Sequence, residues 1–389
     1  MYKREIEAEL EELAKGYPVI TVTGPRQSGK TTLVKQVFPD KPYVNLEDPE
    51  ALAVAVNDPR AFLRRFPKGA ILDEIQQAPR LLSYIQVIVD EAGQMGMFIL
   101  TGSHQLRLHE SVTQSLAGRT ALLFLLPLSL SELTQSGIEL SLDEALYTGG
   151  YPGIYSRRLT PTRTYRNYFQ TYIQRDLHQL MHVKDLTQFK RFVGLCAGRI
   201  GQLVNYDSLA GDVGVSPATV REWLSILEAS FIIIRLQPYH ENFGRRIIKS
   251  PKLYFTDVGL ACYLLGIKNT THVARDPLRG NLIENLVLLE LMKTRLNRGL
   301  DPHLFYWRDA HGNEVDFLFQ DARELIAIEV KGAQTYNQRL AKGLLSFQDL
   351  VGKRCPKAYL IYAGEQEQAV GEIELINYKQ AGRVLSPYD

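Results

Sequence analysis

The sequence predicts an α/β protein that begins with a parallel, doubly wound sheet and continues into helical and further α/β regions. Three observations lead to this prediction. A β-branched strand at 19–23 runs into a glycine-rich loop and then into a helix. Apolar strands at 69–74 and 97–103 end in polar residues, and strand patterns return at 305–320 and 324–331. Strands that alternate with helices favour a parallel sheet, whose ligands bind at the carboxyl ends of the strands.

Length and composition set the broad class. The chain has 389 residues, enough for two or three domains. Its 45% hydrophobic and 23% charged residues are typical of a soluble globular protein, and a net charge of +2 means that any nucleic-acid binding depends on local patches. The three cysteines lack the spacing of a disulfide framework or a zinc site. Since neither a signal peptide nor a membrane-spanning run is recognisable, we expect a cytoplasmic protein without membrane contact.

The first motif is a complete GxxxxGK[ST] pattern at Gly24–Thr31, between a strand and a helix. Its glycines let backbone N–H groups turn toward phosphate oxygens, and the helix N-terminus adds partial positive charge. Lys30 is expected to reach the β- and γ-phosphates, and Thr31 to hold Mg²⁺. The predicted cofactors are therefore ATP and Mg²⁺. The predicted nucleotide-binding residues are Gly24, Pro25, Arg26, Gln27, Ser28, Gly29, Lys30, Thr31 and Thr32.

Residues at the ends of later strands complete the predicted ATPase site. Asp73 and Glu74 end the apolar strand of the ILDEIQ segment. Asp73 is expected to support Mg²⁺ through water, and Glu74 to polarise the attacking water. Ser103 ends the next strand, where its hydroxyl either contacts the γ-phosphate or the water, or caps the turn. Arg119 is either an arginine finger or an ordinary surface residue. Together with Lys30, the predicted catalytic residues are Glu74, Ser103 and Arg119.

The middle of the chain reads as helices. Segments at 130–137 and 142–148 predict a lid, and residues 162–200 are rich in aromatic and basic side chains such as Arg175. His178 and His182 are four residues apart and could share a metal ion. Because a metal site needs more ligands than two, we interpret them as ordinary helix residues.

A helix-turn-helix pattern with a following strand occupies 204–236 and predicts a winged helix. Gly214 marks the turn and Ser216 the N-cap of the second helix. The predicted inner face of this helix consists of Val220, Trp223, Leu224 and Leu227, and its outward residues are Thr219, Arg221, Glu222 and Ser225. Because the outward face is only weakly basic, it suits either DNA or a protein. The predicted wing at 243–252 offers Arg245, Arg246, Lys249 and Lys252 to phosphates.

The strand ELIAIEVK at 324–331 leaves two interpretations open. Alternation places Glu329 and Lys331 on one face of the strand. In one interpretation this face is wetted, and both are ordinary surface residues. In the other they have partners elsewhere in the chain: Glu284 on a predicted helix and Asp316 in a predicted hairpin.

The second interpretation follows the order of a PD-(D/E)xK nuclease: helix Glu284, strand Asp316, then Glu329-x-Lys331. Asp316 and Glu329 on adjacent strands can bind a hard divalent cation, with Glu284 as a further oxygen ligand. Lys331 would orient the attacking water or stabilise negative charge. We expect the four side chains to meet in one open cluster that binds DNA more readily than it cuts it. The predicted metal ligands are Thr31, Asp73, Glu284, Asp316 and Glu329.

Several further motifs accompany these: TGPRQSGKTTL, ILTGSHQ, SLAGRT, PLSLSEL, GGYP, SPKLYFTDVGL, LIENLVLLEL and EVDFLF. With them, the chain resembles prokaryotic AAA-type (AAA+) ATPases that carry a P-loop core, a winged helix and a carboxyl-terminal PD-(D/E)xK nuclease-like domain. The resemblance covers nearly the whole length. It implies a P-loop core at 1–130, a helical lid at 131–185, a winged helix at 186–265 and a nuclease-like domain at 266–389. It also implies a homo-oligomeric ring, a hexamer, and ATPase residues Lys30, Thr31, Asp73, Glu74, Ser103 and Arg119.

Three functions are compatible with the sequence. The leading hypothesis is an ATP-hydrolysing motor that binds duplex or branched DNA and remodels it or translocates on it. The second is an ATP-controlled oligomeric switch that grips a protein partner. The third is an ATP-dependent metal nuclease. DNA stimulation of ATP turnover separates the first from the second, and strand cutting in Mg²⁺ or Mn²⁺ identifies the third.

Overall fold

The computed structural model describes residues 2–103, 115–172, 186–239 and 249–388. The chain forms two compact units. The first consists of Met1–Leu128, Ala229–Phe231 and Leu296–Leu300, and the second of Ser129–Glu228, Ile232–Arg295 and Asp301–Asp389. Most of the predicted lid, winged helix and nuclease-like domain thus falls within the second unit, whereas residues 229–231 and 296–300 belong to the first. Their subdivision remains a prediction. Within the described ranges, no helix combines the length and apolar character needed to cross a membrane.

The first unit contains a five-stranded parallel sheet in the order β2-β3-β4-β1-β5. Its strands are β1 (Val19–Thr23), β2 (Tyr43–Asn45), β3 (Ile71–Asp73), β4 (Phe98–Gly102) and β5 (Thr120–Phe124). Strands β1, β3 and β4 are buried at every position. Such continuous burial is expected of parallel strands with both faces covered. The predicted parallel α/β sheet is confirmed.

Helices supply the two layers around this sheet: α1 (Glu7–Gly16), α2 (Lys30–Val37), α3 (Pro49–Asn57), α4 (Pro59–Arg64) and α5 (Leu81–Ala92). Alternate residues of β1 enter different cores. Ile20 packs in a cluster with Leu33 of α2, whereas Val19 packs in a cluster with Ile85 of α5. The sheet is therefore fixed from both sides, and the loops at the carboxyl ends of its strands are carried on a rigid base.

The second unit begins with helices. These are α6 (Leu130–Gln135), α7 (Leu142–Thr148), α8 (Pro152–Ser156), α9 (Pro161–Tyr172), α10 (Leu186–Ala197), α11 (Tyr206–Val213) and α12 (Pro217–Ala229). Capping boxes, Ser129 with Glu132 and Ser141 with Glu144, start α6 and α7. The two helices predicted at 130–137 and 142–148 are thus present.

The segment predicted as a helix-turn-helix consists of α11 and α12, joined through Gly214 at φ +87°. The four residues predicted for the inner face of α12 are all buried: Val220, Trp223, Leu224 and Leu227. Strands β6 (Ile233–Leu236) and β7 (Lys252–Phe255) follow and pair antiparallel. These elements match the predicted local pattern, and the name winged helix remains a prediction.

The rest of the second unit surrounds a six-stranded sheet in the order β12-β13-β11-β10-β9-β8. Its strands are β8 (Leu304–Arg308), β9 (Glu314–Asp321), β10 (Glu324–Lys331), β11 (Lys357–Tyr362), β12 (Gln368–Val370) and β13 (Ile373–Asn377). The accompanying helices are α13 (Val258–Leu264), α14 (Thr270–Arg275), α15 (Arg279–Leu296) and α16 (Lys342–Val351). Strands β8 and β9 form the predicted hairpin.

Strand β10 is buried on both faces. Ile326 and Ile328 enter one hydrophobic cluster, while Leu325 and Ala327 enter another that includes Phe347 of α16. The interpretation of a wetted face with ordinary surface residues is therefore wrong, because a helix covers the face that carries the acidic side chain.

Candidate ATPase site and carboxylate cluster

Two positions of the phosphate-binding loop require glycine. Gly24 has φ +144°, and a Cβ there would lie 2.2 Å from the carbonyl oxygen of Leu125. Gly29 has φ +99° and immediately precedes α2. A side chain at a positive φ is strained, and at Gly24 it would also collide with backbone. The loop conformation therefore depends on both glycines.

Lys30 is buried inside this loop. Its ammonium donates hydrogen bonds to the carbonyl oxygens of Gly24, at 3.0 Å, and Pro25, at 2.8 Å. Burial lowers the pKa of Lys30 to about 8, although the carboxylates of Glu74 and Asp73 act in the opposite direction. The ammonium is thus held at the loop by backbone carbonyls, in a poorly solvated place where an anionic phosphate would stabilise its charge.

Asp73, at the end of β3, accepts three hydroxyl hydrogen bonds. Thr31 and Tyr43 each donate to Oδ2 at 2.8 Å, and Thr101 donates to Oδ1. Burial and the neighbouring Asp73 raise the pKa of the Tyr43 hydroxyl, so it remains a donor. The carboxylate is therefore fixed in direct contact with Thr31, the other residue predicted to hold Mg²⁺.

Glu74 follows in a left-handed backbone conformation, with φ 57°. Its Oε2 accepts hydrogen bonds from Ser103, at 3.1 Å, and from the side-chain amide of Gln76. Its backbone N–H donates to the Thr101 hydroxyl at 3.4 Å. A non-glycine residue in this conformation is uncommon and often marks a functional site. The structure thus brings Ser103 to Glu74, and the predicted contact of Ser103 with the γ-phosphate or the water stays a prediction.

These residues fit a magnesium-bound nucleoside triphosphate. Ser28 is fully buried, and its hydroxyl makes no hydrogen bond within the described ranges, which leaves a polar group for a ligand to satisfy. Thr31 and Asp73 would hold the ion and Lys30 would neutralise phosphate charge. The bound nucleotide would supply the phosphoryl group. Of the predicted nucleotide-binding residues, Gln27 and Thr32 are exposed.

Three residues of this site were missed in the sequence. Thr101 and Tyr43 hold Asp73, as described above. Arg4 is buried, and its guanidinium donates to the carbonyl oxygens of Ser28, at 2.9 Å, and Leu126, at 2.7 Å. It ties the phosphate-binding loop to the segment after β5. Thr101 could have been identified, because it is a hydroxyl residue on an apolar strand two residues before Ser103. Arg4 could not, because it is one of many charged residues in the amino-terminal segment.

Arg119, the predicted arginine finger, is paired within its own chain. Its guanidinium donates to both carboxylate oxygens of Asp90 on α5, at 2.6 and 2.8 Å. The hydrogen bond from Arg119 lowers the pKa of the Asp90 carboxyl. The pair is exposed, and exposed pairs contribute little to stability. Arg119 is therefore near the surface and can exchange this partner for another anion.

The residues of the predicted nuclease-like cluster come together in the second unit, around a lysine that the sequence interpretation placed elsewhere. Lys252, the first residue of β7, donates to Glu284 at 2.9 Å and lies 3.9 Å from Asp316. It also forms an ion pair with Glu314. Lys252 is 2% exposed. Its predicted role as an accessible phosphate contact is wrong, because acidic side chains surround its ammonium.

Glu329 lies beside this group on β10. Lys331 donates to its Oε1 at 2.5 Å, while its Oε2 is buried without a hydrogen bond to a described residue. The adjacent strand brings Asp316 near, and its carboxylate accepts the backbone N–H of Val330 at 2.8 Å. Glu329 is 8% exposed and Glu284 is 9% exposed. The expectation of an open cluster is therefore wrong: these acids are buried.

Burial and repulsion between neighbouring carboxylates shift the pKa values of the acids in the cluster. Burial, followed by the charge of Asp316, raises the pKa of Glu284 to about 7 and that of Glu329 to about 8. For Lys252, burial lowers the pKa, but the surrounding carboxylates Glu284, Asp316 and Glu314 raise it more, so its net shift is upward. Lys252 therefore keeps its positive charge, whereas Glu284 and Glu329 take up protons more readily than ordinary glutamates.

A divalent metal does not fit the cluster in this arrangement. Among the described residues, no group of three or more His, Cys, Asp or Glu side chains could hold a metal ion. The predicted ligands Glu284, Asp316 and Glu329 are near one another, but the ammonium of Lys252 shares the space between two of them. The structure therefore gives no support to Glu284, Asp316 and Glu329 as metal ligands. At the ATPase site, Thr31 and Asp73 would need further ligands from a nucleotide to hold Mg²⁺.

Other predicted residues lie outside the described ranges: Arg175, His178, His182, Arg245 and Arg246. Lys249 is described and exposed. Of the predicted outward residues of α12, Arg221, Glu222 and Ser225 are exposed, as expected.

Comparisons with known proteins agree with the amino-terminal site. Residues 16–134 match the family model of an AAA domain. Residues 139–271 and 279–381 match two domains of unknown function, DUF8612 and DUF4143. The AAA match supports a P-loop ATPase domain of AAA type, in which the parallel sheet carries the loop at Gly24–Thr31.

The chain also has relatives along most of its length. It is 29% identical over 367 residues to the uncharacterized protein Rv2008c of Mycobacterium tuberculosis, and equally to the uncharacterized protein Mb2031c of Mycobacterium bovis. Each match covers 93% of this chain and 80% of the relative. Among solved structures, the Walker-type ATPase PABY2304 of Pyrococcus abyssi is similar with a TM-score of 0.43 and 16% identity, covering 68% of this chain and 96% of that chain.

Proposed function

We propose that the protein hydrolyses ATP and uses the energy to remodel DNA or to move on it. One observation carries the ATPase part: the side chains that this chemistry needs lie at the carboxyl ends of the adjacent strands β1, β4 and β3. Lys30 begins α2, directly after the loop that follows β1. Asp73 ends β3 and accepts a hydrogen bond from Thr31, and Ser103, directly after β4, donates to Glu74.

Each residue has a distinct role in this proposal. Lys30 neutralises charge on the β- and γ-phosphates, and Thr31 with Asp73 holds Mg²⁺. Glu74 accepts a hydrogen bond from the attacking water and polarises it. Ser103 and Gln76 hold the Glu74 carboxylate until water and nucleotide are in place, since both donate to its Oε2.

The proposal of DNA as the partner rests on exposed cations of the second unit. The helices α11 and α12 have the helix-turn-helix order, and Arg221 is exposed on the second of them. Lys249 adds a second exposed cation before β7. Glu222 on the same helix balances the charge of Arg221, so the exposed face of α12 also suits the rival function, a nucleotide-controlled switch that grips a protein.

The decisive experiment measures steady-state ATP hydrolysis by the full chain alone and with single-stranded, duplex or branched DNA. A motor on DNA is expected to hydrolyse ATP faster with at least one of these. The Lys30→Ala variant is the control, because it should show no turnover under any condition. Slow turnover that is equal with and without every DNA would contradict the DNA function and favour the switch.

A further inference from the structure

The ammonium of Lys252 occupies the position around which the acidic side chains of the second unit are arranged. It donates to Glu284 on α15 at 2.9 Å, forms an ion pair with Glu314 on β9, and lies 3.9 Å from Asp316 on the same strand. The side chain of Lys252 is 3% exposed. A single buried cation thus contacts three carboxylates from two elements.

The backbone of Lys252 is fixed where it is. The residue pairs with Leu236 in the β6–β7 ladder and also forms a bridge with Leu203. The neighbouring Leu253 donates its backbone N–H to Gln202 at 3.0 Å. Because the backbone is held on both sides and the side chain is buried in packed surroundings, the ammonium can reach solvent only if neighbouring groups move.

Several other carboxylate oxygens of the cluster also have donors from the protein, whereas Oε2 of Glu329 is buried without a hydrogen bond to a described residue. Tyr254 donates to Glu284, Arg308 pairs with Glu314 at 3.2 Å, and Lys331 pairs with Glu329 at 2.5 Å. Hard divalent ions bind carboxylate oxygens at about 2.0–2.6 Å and need several of them free at once. Here protein donors already occupy oxygens of Glu284, Glu314 and Glu329, and a second cation next to Lys252 would be repelled by its ammonium.

We propose that Lys252 is the resident cation of this cluster and takes the place of a divalent metal. The carboxylates Glu284, Glu314 and Asp316 then form a buried ion-pair core that joins β7 to α15 and β9. They do not form a metal-dependent cleavage centre. This inference is independent of the proposed ATPase, since no residue of the phosphate-binding site takes part in it.

The test compares Mn²⁺ binding to the nucleotide-free wild type and to Asp316→Asn, by calorimetry and by the electron paramagnetic resonance signal of free Mn²⁺. We expect the number of bound ions to be the same for both proteins, because no ion reaches the cluster. An ion that the wild type binds and Asp316→Asn does not would overturn the proposal. This comparison needs no substitution of Lys252 itself.

A second variant tests the cause. Lys252→Met removes the charge and keeps a long unbranched side chain, so the freed carboxylates should gain one Mn²⁺ per chain relative to the wild type. The double variant Lys252→Met with Asp316→Asn should lose that gain, and Lys252→Arg, which keeps a cation, should show none. A folded Lys252→Met protein with unchanged Mn²⁺ binding would contradict the role of Lys252. If Lys252→Met does not fold, the wild-type comparison still decides.

Discussion

Thr101 joins the two acids of the ATPase site. Its hydroxyl donates to Oδ1 of Asp73 and accepts the backbone N–H of Glu74. Thr101 is fully buried, so no water can replace these bonds. A single hydroxyl therefore fixes the metal-binding carboxylate relative to the residue that polarises water.

Replacing Thr101 by valine should slow ATP hydrolysis while the fold is kept, because the two side chains are nearly isosteric. A hydrogen bond to a charged group contributes about 1.5–3 kcal/mol, which corresponds to a loss of roughly 10- to 100-fold in kcat. Steady-state kinetics measures this loss. The matched control is Thr21→Val, since Thr21 is also fully buried in a strand and its hydroxyl lies 3.0 Å from that of Thr120. Equal kcat values for the two variants would contradict the role of Thr101.

Residues that belong to a continuous sequence motif could be predicted from the sequence. Lys30 and Thr31 lie in one continuous motif, and Asp73 ends a recognisable strand. Lys252 could not be placed in this way, because its partner Glu284 lies on a different element and the contact depends on how β7 packs. Its basic surroundings in the sequence favoured a surface role, whereas the fold buries it among acids.

At the scale of elements, α12 depends on one aromatic contact group. Trp223 lies on its inner face, and its ring centroid is 5.1 Å from that of Phe189 and 5.2 Å from that of Phe192, both on α10. Period-3.6 spacing predicted this face from the sequence. The burial of β10 on both faces was not predictable in the same way, because its covering helix α16 comes later in the chain.

Truncating Trp223 to alanine should lower the free energy of unfolding of the second unit by about 3–5 kcal/mol, since a large buried side chain is lost and a cavity remains. Urea denaturation followed by circular dichroism measures the change. Glu222→Ala on the exposed side of the same helix is the control and should change the free energy by no more than about 0.5 kcal/mol. If Trp223→Ala lowers the free energy of unfolding by no more than the control does, α12 does not pack on α10 as described.

At the scale of the whole molecule, we propose a ring, a hexamer, in which Arg119 reaches the γ-phosphate bound by a neighbouring subunit. The ion pair with Asp90 would have to break for this, and its exposure makes the exchange inexpensive. An arginine supplied in this way contributes roughly a thousandfold or more to the rate. Arg119 lies in the first unit, immediately before β5.

Mixing two inactive variants tests this arrangement. Arg119→Ala lacks the finger and Lys30→Ala lacks the phosphate contact, so each alone should be nearly inactive. In a mixed ring, some interfaces pair an intact loop with an intact finger, and part of the ATPase activity should return. Size-exclusion chromatography with light scattering confirms assembly. Mixed assemblies that stay as inactive as either variant would contradict a finger supplied by a neighbour.

One pair of variants separates ATP binding from ATP hydrolysis. Both are measured for the full chain as wild type, Lys30→Ala and Glu74→Gln. Glu74→Gln should bind ATP as tightly as the wild type but not hydrolyse it, because it lacks only the carboxylate that polarises water. Lys30→Ala should bind weakly and also be inactive, because the phosphates lose their buried cation. Normal hydrolysis by Glu74→Gln, or ATP binding by Lys30→Ala as tight as that of the wild type, would contradict the proposed roles of Glu74 and Lys30 in ATP hydrolysis.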